Sequence, residues 1–223
     1  MSTEASIAVH QAAPIPLSFW KRKLHSLTGV VPIGAFLAEH FWTNSYSTQG
    51  AKAFDDAVVK LQSMPYVVFM EIGLIGLPIL YHAFYGIYIS LQGRPNNLGY
   101  NYGRNWMYFL QRITGFILLI YIGLHVYETR IESALHGELM TFEKMAHEIS
   151  EPGMIFFYFA GVLSATFHFA NGLWAFLIGW GITVTQKSQR MSAYACVGVF
   201  LLLSAMGLNS LMGFLGKGFS FQF

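Results

Sequence analysis

Five long apolar segments constrain the fold of this chain more than any other feature of its sequence. Each is long enough for the roughly 20 helical residues that cross the hydrocarbon core of a bilayer. They fall at residues 22–42, 66–91, 105–128, 153–183 and 193–215. Because a backbone in lipid must satisfy its own hydrogen bonds, such segments form helices. With 54% hydrophobic and only 11% charged residues, the sequence predicts an all-α integral membrane protein with five transmembrane helices.

Charged residues between these segments predict the orientation of the helices. Basic residues concentrate before the first segment and in the second and fourth connections, while most acidic residues lie in the first and third connections. Since basic residues near helix ends resist translocation, the basic side is cytoplasmic. The N-terminus is therefore expected inside and the C-terminus outside. We expect a cytoplasmic N-terminal segment at 1–21, one transmembrane domain at 22–217 and a C-terminal tail at 218–223.

The first four segments contain an internal duplication. Gly29 and Gly115 are 86 residues apart, as are His82 and His168, and His40 and His125 are separated by 85 residues. Segments one and two therefore resemble a template for segments three and four. Both halves run in the same direction across the membrane, which makes them parallel repeats. We expect these four helices to form a bundle and the fifth to lie outside the repeat.

Depth in the membrane sorts the four repeated histidines into two pairs. His40 and His125 come late in helices that run outwards, so both lie near the outer face. His82 and His168 come late in helices that run inwards, so both lie in the inner part of the membrane. Each pair comes from alternate helices of the bundle, which face one another across its core. We call His82 and His168 the inner pair, and His40 and His125 the outer pair.

Two intramembrane imidazole pairs favour haem over other ligands. Zinc requires further cysteine or carboxylate ligands, which these helices hardly supply. Six-coordinate haem requires two axial ligands and an apolar slot lined by small and aromatic residues. The single cysteine, Cys196, excludes a Cys-x-x-Cys-His attachment, so the haem is held without covalent links. A lone histidine bonded to a neighbouring helix is the ordinary alternative, and four in matched register make it the weaker one.

Four further polar residues are candidates for the functional sites. His25 and Ser26 lie at the cytoplasmic mouth of the first helix, where either can contact a haem propionate. Arg112 lies inside the third helix, where an unpaired guanidinium is costly, and is a candidate for the same role. Glu71 lies near the outer end of the second helix and is a candidate proton donor to a quinone. A hydrogen-bonded structural carboxyl is the alternative for Glu71.

Several motifs resemble one known family over nearly the whole chain. They are 24–29 (LHSLTG), 81–86 (YHAFYG), 104–106 (RNW), 110–115 (LQRITG), 125–130 (HVYETR) and 167–174 (FHFANGLW). Together with the four histidines, they resemble the dihaem cytochrome b anchor of bacterial succinate dehydrogenases that reduce menaquinone. The resemblance implies two haem b groups, the inner one on His82 and His168 and the outer one on His40 and His125. It also implies that His25 is not an axial ligand.

The same resemblance implies partners and a location. A flavoprotein subunit carrying FAD oxidises succinate, an iron–sulfur subunit passes the electrons on, and this chain delivers them to menaquinone at the outer face of the bacterial cytoplasmic membrane. No nucleic-acid partner is expected. The same anchor in a quinol:fumarate reductase remains an alternative, since nothing in the chain sets the direction of electron flow. A haem subunit of a hydrogenase or formate dehydrogenase, and a transporter with proton-relay histidines, are further alternatives.

Overall fold

The computed structural model describes residues 16–220, and within that range every regular element is a helix. The α-helices in chain order are α1 (Leu17–Val30), α2 (Pro32–Ser45), α3 (Ala51–Gln62), α4 (Val67–Met70), α5 (Leu77–Gln92), α6 (Gly103–Val126), α7 (Glu132–His136), α8 (Phe142–Ser150), α9 (Met154–Gly179) and α10 (Gln186–Phe214). A 3-10 turn (Tyr46–Gln49) follows α2, and two π-helical segments (Glu71–Gly76 and Tyr127–Ile131) follow α4 and α6.

The first predicted span, 22–42, is a pair of consecutive helices that starts earlier and ends later. α1 and α2 have 14 residues each and meet at Val31. Pro32 has no N–H with which to reach back to the preceding turn, so one bond of the helical ladder is missing there. The Val31 N–H still donates to Leu27 O at 2.9 Å, and the Ala35 N–H donates to Val31 O at 3.1 Å. The chain therefore continues in the same direction through the break.

Four helices are long and apolar enough to cross a membrane by length and composition. They are Val67–Gln92, Gly103–His136, Met154–Gly179 and Gln186–Phe214, and they correspond to the last four predicted segments. The divided α1–α2 region is outside this set, so the expectation of five spans is met only in part. The fourth predicted segment, 153–183, ends early at Gly179, whereas Gly103–His136 extends eight residues beyond the predicted end.

The long helices contact one another in a closed order. α1 packs against α5, α5 against α6, α6 against α9, and α9 against α1, while α10 packs along α9 and α2. At Gly207 a Cβ atom would come within 2.8 Å of Val162 and 3.0 Å of Phe41, so this glycine permits the close approach of α10 to α9 and α2. Helices α5 and α9 thus occupy opposite corners, as do α1–α2 and α6.

An apolar core closes one end of the long helices. Helices α3 and α8 pack there against α9 and α10, burying Phe54, Met145, Ile149, Tyr158, Leu211 and Phe214. The connections at 43–64 and 129–151 thus contain the short helices α3, α7 and α8. This end cap lies beside the outer histidine pair, because Tyr158 contacts the ring of His125.

Candidate functional site: two histidine pairs

The structure brings together the same histidines that the sequence pairs by depth. His82 on α5 and His168 on α9 have ring centroids 6.1 Å apart with an interplanar angle of 79°. His40 on α2 and His125 on α6 have centroids 5.8 Å apart at 80°. Each pair joins helices at opposite corners of the arrangement. The two sites therefore share one geometry, a pair of nearly perpendicular imidazoles that converge across the helices.

This geometry fits axial ligation of a haem iron. Metal–nitrogen bonds of about 2 Å, extended by about 1 Å to each ring centroid, separate two ligating imidazoles by about 6 Å. Among residues 16–220, no group of three or more His, Cys, Asp or Glu side chains is arranged to hold a metal ion. Each pair offers two imidazoles, which is the number of ligands that a porphyrin leaves for the protein to supply.

Hydrogen bonds fix which nitrogen of each inner histidine is free. His82 Nδ1 lies 2.9 Å from the backbone oxygen of His25. A carbonyl oxygen only accepts, so Nδ1 of His82 carries the proton. His168 Nδ1 lies 3.2 Å from Thr114 Oγ1, whose own proton is donated to Leu110 O at 2.8 Å. Both inner imidazoles are thereby set as Nδ1–H tautomers with Nε2 free to ligate.

Two glycines on the preceding helices allow the inner rings to lie against backbone. A Cβ atom at Gly29 would be 2.4 Å from Cε1 of His82, and one at Gly115 would be 3.2 Å from Cε1 of His168. In the sequence, the two glycines are 86 residues apart and the two histidines are also 86 residues apart. The duplication is therefore visible as a repeated contact, in which a glycine of one helix supports the histidine of the next.

A second kind of glycine lies four residues after each inner histidine, at Gly86 and Gly172. A Cβ atom at Gly86 would be 3.1 Å from His25 Nε2, and one at Gly172 would be 3.3 Å from Gln111 Nε2. These glycines accommodate a side chain of the preceding helix. His25 and Gln111 are themselves 86 residues apart, so this contact is duplicated as well.

His25 reaches deeper than its place near the helix start suggests. Its ring stacks on that of His82, with centroids 4.1 Å apart and an angle of 13° between planes. Its Nε2 atom is buried, and no described group bonds to it. The counterpart residue Gln111 bonds instead to His168 O at 3.0 Å and to the amide of Asn171 at 2.7 Å. The inner site therefore contains a third imidazole, His25, beside His82, whereas the corresponding position beside His168 is occupied by Gln111.

The outer pair is surrounded by aromatic rings. Tyr121 stacks on His125 at 5.5 Å and 7°, and Tyr158 meets the same ring edge-on at 5.8 Å. Phe36 lies 5.4 Å from His40. Sequence reasoning missed these neighbours, although Phe36 and Tyr121 each precede their histidine by four residues. That spacing places two residues on one helical face and was a usable signal.

The outer imidazoles lack comparable hydrogen bonds within the described chain. Asn44 Nδ2 lies 3.5 Å from both ring nitrogens of His40, a distance at the limit of a hydrogen bond, and bonds better to His40 O at 2.8 Å. His125 Nδ1 is buried without a hydrogen-bond partner among residues 16–220. The contacts around this pair are apolar and aromatic, so its ring orientations depend on packing.

The candidate propionate contacts, Ser26 and Arg112, have protein partners in the structure. Ser26 Oγ donates to Lys23 O at 2.9 Å and accepts from Trp180 Nε1 at 3.0 Å. Arg112 donates to Gly93 O at 3.1 Å and to the hydroxyl of Tyr108 at 2.6 Å. The guanidinium is thus hydrogen-bonded to two neutral groups, and both residues tie helix ends together on the basic side.

Glu71 is part of an ion pair between the two π-helical segments. Arg130 Nη2 lies 2.6 Å from Glu71 Oε2 and Arg130 Nε lies 3.1 Å from Oε1, which is a bidentate contact. Gln62 Nε2 also donates to Oε1 at 3.1 Å. Arg130 and Gln62 were not among the sequence candidates. This contact joins α3 to the start of the long helix Val67–Gln92 and to the end of the long helix Gly103–His136. The π-helical turns that carry Glu71 and Arg130 are of a kind that is frequent at functional sites.

Long apolar helices that bring histidines together in pairs define the class of the protein, a multi-helix membrane protein, and the comparisons specify it further. The family of succinate dehydrogenase/fumarate reductase transmembrane subunits matches residues 103–207. The succinate dehydrogenase cytochrome b558 subunit of Bacillus subtilis (strain 168) is 46% identical over 196 residues, covering 88% of this chain and 96% of that protein. The chain therefore belongs to the family of succinate dehydrogenase cytochrome b subunits, and the predicted family is confirmed.

Proposed function

We propose that this chain anchors a succinate:menaquinone oxidoreductase in the membrane and carries its electrons to the quinone. The observation that carries the proposal is two histidine pairs of nearly equal geometry, in a chain 46% identical to a succinate dehydrogenase cytochrome b558 subunit. His82 and His168 would hold one haem b, and His40 and His125 a second. When bound, each haem supplies a one-electron redox centre with both axial positions filled, which suits electron transfer rather than dioxygen binding.

The residues around the two pairs support an assignment of each pair to one side of the membrane. The inner pair lies on the side of the chain that carries Lys21, Arg22 and Lys23, and His25 of the same helix stacks on His82. An iron–sulfur subunit docked on this basic side would deliver electrons to the inner pair. The outer pair lies at the far end, beside Tyr121 and Tyr158, and would pass electrons on to menaquinone. A flavoprotein subunit with FAD would complete the complex and oxidise succinate.

We further propose that α1 and α2 together form the first of five spans, with the N-terminus in the cytoplasm of a bacterium and the C-terminus outside. The hydrogen bonds on either side of Val31 keep the two helices in sequence, and α2 contacts α10 along the bundle. The closed order of contacts among α1–α2, α5, α6 and α9 supports a four-helix haem-binding bundle with α10 packed outside it.

Glu71 keeps a proposed role in quinone reduction, with a restriction that the ion pair imposes. A carboxylate that accepts two bonds from a guanidinium is stabilised in its charged form. Glu71 would therefore take up a proton only when the contact with Arg130 opens, for example when a quinone oxygen accepts the N–H groups of Arg130 in place of the carboxylate. The same anchor can serve a quinol:fumarate reductase, but the named relative is a succinate dehydrogenase subunit, which favours succinate oxidation.

Purification of the membrane complex through a tag on this chain tests the proposal. We expect a flavoprotein and an iron–sulfur protein to copurify, a b-type band in the reduced-minus-oxidised spectrum, and reduction of that band by succinate. Absence of a b-type band in the intact complex would contradict the cytochrome assignment. A band that menaquinol reduces but succinate does not would favour the fumarate reductase direction.

A further inference from the structure

The two inner histidines are held by acceptors of different kinds. His82 Nδ1 bonds to a backbone oxygen, that of His25, at 2.9 Å. His168 Nδ1 bonds to a side-chain oxygen, that of Thr114, at 3.2 Å. A backbone acceptor is present whatever residue occupies the position, whereas the hydroxyl exists only because residue 114 is a threonine. We propose that Thr114 is the positioning residue that fixes the tautomer and ring plane of His168 at the inner haem.

The hydroxyl of Thr114 is itself fixed by the helix that carries it. Its oxygen lies 2.8 Å from Leu110 O and 3.2 Å from Gln111 O, the carbonyl groups four and three residues earlier. The hydroxyl proton is therefore directed back along α6, and a lone pair is left to accept from His168 Nδ1. Gly115, the next residue, keeps the backbone close to the same ring. Both features of α6 act on the same part of the imidazole, its Nδ1 and Cε1 atoms.

The duplicated half of the chain supplies an internal comparison. Thr28 is 86 residues before Thr114, and its hydroxyl donates to His25 O at 3.0 Å. His82, the counterpart of His168, donates its hydrogen bond to that same carbonyl rather than to the threonine oxygen. The repeat has thus kept the threonine at both positions, but the structure gives only Thr114 a bond to the histidine.

The expected consequence concerns the ligand rather than the overall fold. An N–H···O bond donated by the non-ligating nitrogen of an imidazole orients the ring and increases its donor strength towards a metal. Loss of such a partner typically lowers metal affinity by about 10- to 100-fold. Removal of the Thr114 hydroxyl should therefore loosen the inner haem, make its reduction potential more positive, and leave the outer haem unchanged.

The test compares Thr114→Val, Thr114→Ser and Thr28→Val in the purified complex. Valine keeps the shape of threonine without the acceptor, serine keeps the acceptor, and Thr28→Val makes the same change at the duplicated position. We expect Thr114→Val to speed the transfer of one haem to apomyoglobin by about tenfold. We also expect it to shift the low-spin ferric EPR signal of that haem, which reports the angle between the axial imidazoles. Thr114→Ser and Thr28→Val should behave as wild type.

Three results would overturn the inference. They are wild-type haem transfer and EPR in Thr114→Val, an equal effect of Thr28→Val, or an effect of Thr114→Ser as large as that of Thr114→Val. The inference rests on the proposed ligation by His168, and His168→Ala separates the two. If His168→Ala retains both haems, the proposed function fails. If His168→Ala loses the inner haem while Thr114→Val matches wild type, only the role of Thr114 fails.

Discussion

The inner and outer histidine pairs have almost the same ring geometry and very different surroundings. Their centroid distances are 6.1 and 5.8 Å, and their interplanar angles are 79° and 80°. Around the inner pair, hydrogen bonds from the imidazoles to His25 O and Thr114 Oγ1 fix both rings. Around the outer pair, stacked and edge-on aromatic rings do so. The two pairs thus share the convergence of two imidazoles, while the groups that orient the rings differ.

The largest expected effect comes from removing the ligands, and it tests whether the two sites are separate. His82→Ala or His168→Ala should abolish the inner haem and leave the outer one, because each iron loses one of its two axial ligands. His40→Ala or His125→Ala should do the reverse. EPR signals of the two ferric haems, measured before and after each substitution, distinguish the sites. Loss of both haems in every variant would indicate one interdependent site instead of two.

Substitution of the supporting glycines should have the next largest effect and should be unequal. Gly29→Ala would put a Cβ atom 2.4 Å from the ring of His82, which forces the ring to move. Gly115→Ala would put one 3.2 Å from His168, which a shift of a few tenths of an ångström relieves. Inner haem content should therefore fall more in Gly29→Ala than in Gly115→Ala. Gly198→Ala, at a position with open space around it, is the matched control and should retain both haems.

The ion pair between Glu71 and Arg130 should affect the rate of quinone reduction more than the haem content. Glu71→Gln and Arg130→Gln each break the bidentate contact, at a cost to stability on the order of 1 kcal/mol since both side chains are partly exposed. Both haem bands should remain, while the rate of menaquinone reduction falls. Lys52→Gln, which breaks a fully exposed pair with Asp56, is the control and should leave the rate unchanged. An unchanged rate in Glu71→Gln would relegate this carboxyl to a structural role.

The smallest expected effect concerns the hydroxyl of Tyr158. This side chain is 2% exposed, and no described group bonds to its hydroxyl. Removing a buried hydroxyl that has no partner is close to neutral or slightly stabilising. Tyr158→Phe should therefore keep the edge-on contact with His125, the outer haem and the melting temperature of the complex. A marked loss of quinone reduction in this variant would instead mean that a bound quinone uses the hydroxyl.

Some features of the two histidine sites could be predicted from the sequence, and others could not. The register of His40, His82, His125 and His168, and their depth in apolar segments, follow from spacing alone. The stacking of His25 on His82 and the ion pair of Glu71 with Arg130 depend on contacts between helices distant in sequence. The division of the first segment had a local signal in Pro32, since proline removes a helical hydrogen bond. The π-helical segments had none that hydrophobic periodicity could reveal.

The haem-to-chain ratio of the purified complex tests the central claim most directly. We predict two haem b groups per chain in the wild type. We predict one in the double variant His82→Ala with His168→Ala, and one in the double variant His40→Ala with His125→Ala. Two haems in either double variant, or fewer than two in the wild type, would contradict the assignment of one haem to each histidine pair.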